Sequence, residues 1–207
     1  MARDGRMPTI ESARMWFRGK LSLERKRRLN LIKQGETDLT RWSKAESFRE
    51  NWDTRAPFAA ALCADSKVVC DIGCGKQTLR KLLPLHIVYR PADLVQRTDD
   101  TAVCDFNKNQ LPESYLIEAD TVTLLGVLEY VYDVPWVLNS VREYIETLIV
   151  SYNPSDMIFH NRRERGWVND YKLDEFVQML VACGYIVRNL SLVDSAQVII
   201  KASARIE

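Results

Sequence analysis

Val68-Val-Cys-Asp-Ile-Gly-Cys-Gly-Lys76 is an apolar run that meets an acid and then two glycines, and its reading decides the fold. The run reads as a buried strand, and the residues Gln77 to Leu83 that follow read as an amphipathic helix. Glycines at such a turn let the backbone approach a ligand closely, and a helix start presents free amides there. A dinucleotide site asks for G-x-G-x-x-G, or alanine at the end. Here Thr78 holds that last place, and Asp71 stands just before the glycines. A carboxylate at that strand end suits a cation better than a pyrophosphate.

Outward from this stretch, strands alternate with helices, the pattern of a parallel sheet covered on both faces. Candidate strands are Lys67–Asp71, Ile87–Leu94 with Pro91 interrupting it, Thr121–Leu125 and Thr147–Tyr152. Candidate helices are Gln77–Leu83, Pro135–Ile145 and Leu173–Cys183, the last stopped by Gly184. Two final apolar strands, Tyr185–Val193 and Gln197–Ala202, have no helix between them and predict an antiparallel hairpin, an ending that a dehydrogenase domain lacks. Before the strands, Leu21–Lys33 reads as a short helix with Leu21, Leu29 and Ile32 on one stripe, so it docks on a larger body. Arg41–Cys63 carries Trp42, Phe48, Trp52, Phe58 and Leu62 at spacings that suit helical packing. Residues 1–60 are thus expected to form a basic extension with cap helices, and residues 61–207 the main domain.

The 207 residues, 46% hydrophobic and 28% charged, suffice for one globular domain with elaborations. No apolar run is long enough to span a bilayer, and the N-terminus is charged from Arg3 with no signal-peptide segment, so the chain reads as cytoplasmic. Five cysteines, odd in number and without C-x-x-C pairs, argue for reduced thiols, with neither disulfides nor metal expected. Cys70 and Cys74 would need a third cysteine at 77 for an iron–sulfur C-x-x-x-C-x-x-C run, and Gln77 stands there. Residues 1–33 hold ten basic and three acidic side chains, a net +7, which leaves −6 for the rest of a chain whose total is +1. Two readings of this segregation stand: an arm for nucleic acid or another anionic surface, or a solvated leader with one charged helix.

Asp71-x-Gly73-x-Gly75 resembles motif I of class I S-adenosylmethionine-dependent methyltransferases. The resemblance implies that the turn Gly73-Cys74-Gly75 packs on the methionine arm of the cofactor and that Asp71 helps to hold its ammonium. Lys76 departs from the small or hydroxyl residue common in the family and is expected to point to solvent. Ala92-Asp93-Leu94-Val, eighteen residues past Gly75, resembles the family's second strand end, which implies Asp93 as acceptor for the ribose hydroxyls; Asp99 and Asp100 are rivals in a polar loop. Val103-Cys104-Asp105-Phe106-Asn107 with Leu111-Pro112 resembles the segment that flanks the adenine. Ala119-Asp120-Thr-Val-Thr-Leu-Leu125-Gly126-Val-Leu-Glu129-Tyr130 with Asp133 resembles the fourth strand and its turn, which brings Leu125 and Gly126 to the cofactor. The family's fold is a Rossmann-like α/β domain, a mostly parallel seven-stranded sheet with helices on both faces and an antiparallel hairpin at its end. Here an N-terminal helical extension is added.

Displacement at a sulfonium needs alignment and a dry site more than a strong catalytic group. For a hydroxyl acceptor a general base helps, and Glu129, Tyr130, Tyr152, Asp156 and His160 are candidates. Glu129 can equally cap the next helix or hold its loop, and His160 can equally be a surface histidine. The long segment from Tyr152 to Asn169 mixes aromatics with arginines. It reads either as an acceptor pocket built from Tyr152, Arg162, Arg163, Arg165, Trp167 and Asn169, or as a charged loop pinned by Trp167.

Three functions fit: a methyltransferase for a small molecule or glycan precursor, a nucleic-acid methyltransferase guided by the basic arm, and a methyltransferase-like binding module without catalysis. The arm carries only Trp16 and Phe17 among its aromatics, and Leu125-Gly-Val-Leu stands where a base-flipping Asn-Pro-Pro-Tyr motif would follow the fourth strand. The cofactor motifs read as intact. The first function is therefore preferred, helped by a likeness of Val150-Ser-Tyr-Asn153 and Gly166-Trp-Val-Asn169 to methyltransferases of surface-glycan and natural-product pathways.

Overall fold

In the computed structural model, which describes residues 23–48, 50–158 and 161–204, the apolar run before the glycines is the central strand β1 (Val68–Ile72). It pairs in parallel with β2 (Val88–Asp93) on one side and β4 (Thr121–Leu125) on the other. Beyond β2 lies β3 (Ala102–Val103), and beyond β4 lies β5 (Thr147–Tyr152), both parallel. The hairpin β6 (Tyr185–Leu192) and β7 (Val198–Ala204) closes the sheet, with β7 antiparallel to β5, so the order is β3-β2-β1-β4-β5-β7-β6.

The two-residue period of the strands divides their side chains between unequal layers. Cys70, Ile72, Val122, Leu124, Leu148 and Val150 share one buried cluster with α5 (Val134–Arg142) and α6 (Leu173–Ala182), and with Leu116 of the single turn α4 (Glu113–Leu116). Val69, Ile149 and Ile199 face a smaller cluster under α3 (Ala56–Leu62), reached through Ala59 and Ala60. Local signals set the helix ends. The Asp133 side chain accepts from the Trp136 amide at 2.9 Å to cap α5, with proline in its first turn, and Gly184 takes φ +81° after α6. On α6, Phe176 stacks on Tyr152 of β5 with centroids 4.3 Å apart and planes 9° from parallel.

Before the sheet, residues 23–34 form α1 and Leu39–Trp42 form α2, a cap continued by two 3-10 turns that lead into α3. The first 22 residues, which hold most of the basic arm, lie outside the described residues. No described helix is long and apolar enough to cross a membrane.

Three local expectations are corrected. Instead of a helix over 77–83 there is only a 3-10 turn at Leu79–Lys81. Gln77 sits in the left-handed region at φ +54° and Pro84 blocks continuation, so the interval is too short for a stable helix. Pro91 does not interrupt β2, because β3 pairs only with Ala92 and Asp93 and leaves Pro91 without a neighbour on that side. The third strand, which has no alternation to read, is two residues long. All five cysteines are buried and unpaired; burial pushes the thiols of Cys63 and Cys104 up to about 12.

Phe176 has no solvent exposure, so Phe176→Ala is expected to destabilise the chain by about 3–5 kcal/mol, read as a lower urea midpoint, while the exposed Gln178→Ala stays within about 0.5 kcal/mol. Equal midpoints for the two variants would contradict this packing.

Candidate functional site

The C-terminal ends of β1, β2 and β4 surround a cavity of about 900 Å³ that the cap closes from above. Its floor is the glycine turn. Gly73 (φ +79°) and Gly75 (φ +50°) are in the left-handed region, and a Cβ on Gly73 would collide with Val127. The amides of Gly73 and Cys74 both donate to the Ala92 carbonyl, at 2.8 and 3.1 Å, and so fasten the turn to β2. Gln77 is held in its left-handed conformation by a 2.7 Å bond from Nε2 to Thr98 Oγ1, while its Oε1 accepts from Arg80.

The carboxylates differ in what they bind. Asp71 is buried; its Oδ1 accepts from Thr123 Oγ1 at 2.6 Å and its Oδ2 from the Tyr89 hydroxyl at 2.5 Å, and burial raises its pKa. Asp93 accepts five hydrogen bonds: from the amides of Gly75 (2.8 Å) and Leu94 (2.7 Å), from Nε and Nη2 of Arg97 (3.1 Å each), and a long one from Cys74 Sγ (3.9 Å). Asp105 accepts from Asn107 N and Thr37 Oγ1 through Oδ1, while its buried Oδ2 has no partner among the described residues. Leu94, Cys104, Phe106, Leu125 and Gly126 line the same space, as do Asp71, Cys74, Asp93 and Asp105. Thus every residue that the motifs nominate for the cofactor faces one cavity. The rivals do not: Asp100 is an exposed partner of Arg80, and Asp99 is not among the lining residues.

The candidates for catalysis and acceptor binding separate more sharply. Glu129 has no solvent exposure; its Oε1 accepts from the amide and Nδ2 of Asn153, at 3.0 and 2.6 Å, and its Oε2 has no partner among the described residues. Burial raises its pKa. Tyr130 lines the cavity and meets Trp42 of the cap edge-on, with centroids 4.9 Å apart. His160 lies outside the described residues, and Asp156 is turned to the amide of Leu173.

Tyr152, Arg162 and Asn169 are brought together, but behind the cavity. The Tyr152 hydroxyl donates to Asn169 Oδ1 at 2.7 Å and accepts from Arg162 Nη2 at 3.1 Å, and Asn169 Nδ2 donates to the carbonyls of Leu128 and Val131. This network ties the segment 153–169 to the turn after β4, assisted by the Val168 amide on the Glu129 carbonyl. Arg163 pairs with Asp170 away from the cavity. Of the acceptor candidates, Trp167 and Arg165 line it, the guanidiniums of Arg162 and Arg165 lying 4.6 and 5.1 Å from the centre of the indole.

Several lining residues carry no motif. From the cap come Trp42, Phe48 and Trp52, mutually packed at 5.9–6.5 Å, and Arg28 and Arg41, which donate to the carbonyls of Glu164 and Arg165. Arg97 joins the cap to β2 by donating to the Trp42 carbonyl at 2.7 Å while gripping Asp93. Arg55 completes the wall beside Gly126. The aromatic density between 42 and 58 was a sequence signal for the cap; nothing comparable marked Arg55 or Arg97.

Comparison with known proteins gives a fold. No family model matches the chain, and no curated protein matches it in sequence. Among solved structures, it is similar to human N-acetylserotonin methyltransferase in complex with S-adenosylmethionine, with a TM-score of 0.59 at 15% identity over 80% of this chain. The chain spans just over half of that protein, 56% of its length. It is also similar to Burkholderia thailandensis 1,6-didemethyltoxoflavin-N1-methyltransferase, at TM-score 0.57 and 14% identity, over 98% of this chain and 93% of the other. Magnesium protoporphyrin IX methyltransferase from Synechocystis matches at TM-score 0.52 and 15% identity, over 73% and 83% of the two chains.

Because burial raises the folded pKa of Glu129, the folded chain binds more protons there than the unfolded chain above the ordinary glutamate value of about 4.3, and that contribution to stability falls as pH rises. Glu129→Gln removes the ionisation, so the variant is expected to gain in urea midpoint on the wild type between about pH 4 and 8. A constant difference across that range would rule out a buried titrating carboxyl.

Proposed function

We propose that this chain, which has the class I methyltransferase fold, is an S-adenosylmethionine-dependent methyltransferase for a small-molecule or glycan-precursor acceptor. One observation carries the reading: the residues that the motifs nominate for the cofactor line a single cavity in which a buried acceptor, Asp105 Oδ2, lacks a donor among the described residues. An adenine amino group is a donor of the kind that oxygen requires, with Cys104, Phe106 and Leu94 as the flanking surface. Gly73 and Gly75 leave room for the methionine arm, and Asp71 supplies a negative field to its ammonium although its oxygens are engaged by Thr123 and Tyr89. Asp93 is the acceptor for the ribose hydroxyls. Its lone pairs are taken, so the hydroxyls replace the fork of Arg97 rather than add to it.

When bound, the cofactor supplies a methyl group on a sulfonium with a thioether as leaving group. The chain's own task is alignment and exclusion of water. The cap, held by Arg28 and Arg41 on the 164–166 turn, covers the cavity for that purpose. Tyr130, Met157, Ile158 and Trp167 leave an apolar and aromatic wall between the turn after β4 and the loop after β5, suited to a small organic acceptor. The structural neighbours named above are methyltransferases of N-acetylserotonin, 1,6-didemethyltoxoflavin and magnesium protoporphyrin IX, in keeping with an organic acceptor. Among the described residues, Glu129, through an Oε2 without a partner there, and Tyr130 are the groups placed to take a proton from a hydroxyl acceptor. Unpaired thiols suit a reducing compartment such as the cytoplasm.

Calorimetry with S-adenosylhomocysteine is expected to give a micromolar dissociation constant, weakened by about 1–3 kcal/mol in both Asp93→Ala and Asp105→Ala. Absence of heat with the wild type removes the cofactor assignment.

A further inference from the structure

We propose that Arg55 is the receptor for the carboxylate of the cofactor's amino-acid arm, an assignment that rests on the cofactor reading above. Arg55 ends the 3-10 turn Glu50–Arg55 and precedes α3, which packs on the thinly covered face of the sheet. Its guanidinium lies where a side chain on residue 126 would stand: Nη1, Cζ and Nη2 are 2.6, 2.9 and 3.0 Å from the place a Cβ would take on Gly126. Gly126, at φ +67°, is therefore what admits it to the cavity.

Among the described residues, no hydrogen bond or ion pair reaches the Arg55 side chain. Of the other guanidiniums in and beside the cavity, Arg165 is exposed and lies over the Trp167 ring, and the rest are hydrogen-bonded. Arg28 and Arg41 donate to loop carbonyls, Arg97 to Asp93 and Arg162 to three oxygens. The acids whose charge acts on Arg55 are turned elsewhere: Asp71 to Thr123 and Tyr89, Asp53 to Thr78 Oγ1, and Glu129, through Oε1, to Asn153. Desolvation works against its charge. An enclosed cation with all its donors unspent calls for an anion, and its planar fork fits a carboxylate with two parallel bonds. The anion belongs in the cavity that Arg55 lines.

Position selects the source of that anion. Gly126 directly follows β4, the strand beside β1, so Arg55 stands over the same end of the sheet as Asp71 and the glycine turn. A wall that offers a free guanidinium next to fixed carboxylates complements a zwitterion, carboxylate to Arg55 and ammonium to the acids. The amino-acid arm is that zwitterion. An acceptor carboxylate would have the same chemistry but not the same dependence on the arm.

The test is calorimetry of wild type, Arg55→Ala and Arg55→Lys with two ligands. S-adenosylhomocysteine carries the arm, and 5′-methylthioadenosine has the same adenosine and thioether without it. Arg55→Ala is expected to weaken S-adenosylhomocysteine about 10- to 100-fold, with Arg55→Lys between the two, and to leave methylthioadenosine unchanged within about twofold. Equal losses for both ligands, or none for S-adenosylhomocysteine, overturn the proposal, the latter assigning the guanidinium to an acceptor anion. Wild type that binds neither ligand fails the cofactor reading itself. Should the alanine variant not fold, the lysine variant decides by the same comparison.

Discussion

The bond from the Gly75 amide to the Asp93 carboxylate, 2.8 Å long, is the constraint on which the site's geometry depends. β1 and β2 are parallel, so their C-terminal ends emerge side by side, and the first must turn back without colliding with the second. Two left-handed residues make that turn, and the Ala92 carbonyl and the Asp93 carboxylate receive three of its amides. The shape of the turn and the orientation of the acid are thereby one property. A side chain at 73 would disturb both, because its neighbour Val127 belongs to the turn after β4.

The unequal layers of the sheet explain where function collects. One face is sealed by α5 and α6 with large aliphatics and the Tyr152–Phe176 stack. On the other, toward the C-terminal edge, the inward positions become polar: Asp71 on β1, Thr123 on β4 and Ser151 on β5, the last with a buried hydroxyl that has no partner among the described residues. The residues from Trp42 to Leu62 cover this half, and their aromatics supply much of the apolar area that the thin face lacks. Cap and domain are joined by hydrogen bonds to carbonyls of Glu164 and Arg165 and by the Thr37–Asp105 bond, contacts with less apolar burial than the core beneath.

Much of this was legible in the sequence, for physical reasons that also mark the limits. β4 and β5 read with correct bounds because a strand buried on both faces is a continuous apolar run between polar breaks. The glycine turn read correctly because its conformation restricts which residues can stand there. β3 was invisible because two residues have no period, and the helix over 77–83 was misread because amphipathic spacing says nothing of a positive φ at its first residue. The loop after β5 shows a different failure. Tyr152, Arg162 and Asn169 are polar residues in a long segment, the composition of a binding loop, yet they satisfy one another and the backbone of the adjoining turn. Arg55 is the converse, a cation at the start of an apolar helix whose lack of partners among the described residues becomes visible only in three dimensions.

The buried cysteines add a practical property. Cys63 lies in the thin cluster, Cys183 and Cys70 in the thick one, and Cys74 in the glycine turn, and burial pushes each thiol up from its ordinary range. A thiol reagent reacts with the thiolate, so each site is silent until its own surroundings open. The chain thus carries native chemical clocks in both layers and at the ligand turn. The order in which they label reports which layer loosens first, without a dye or an added probe.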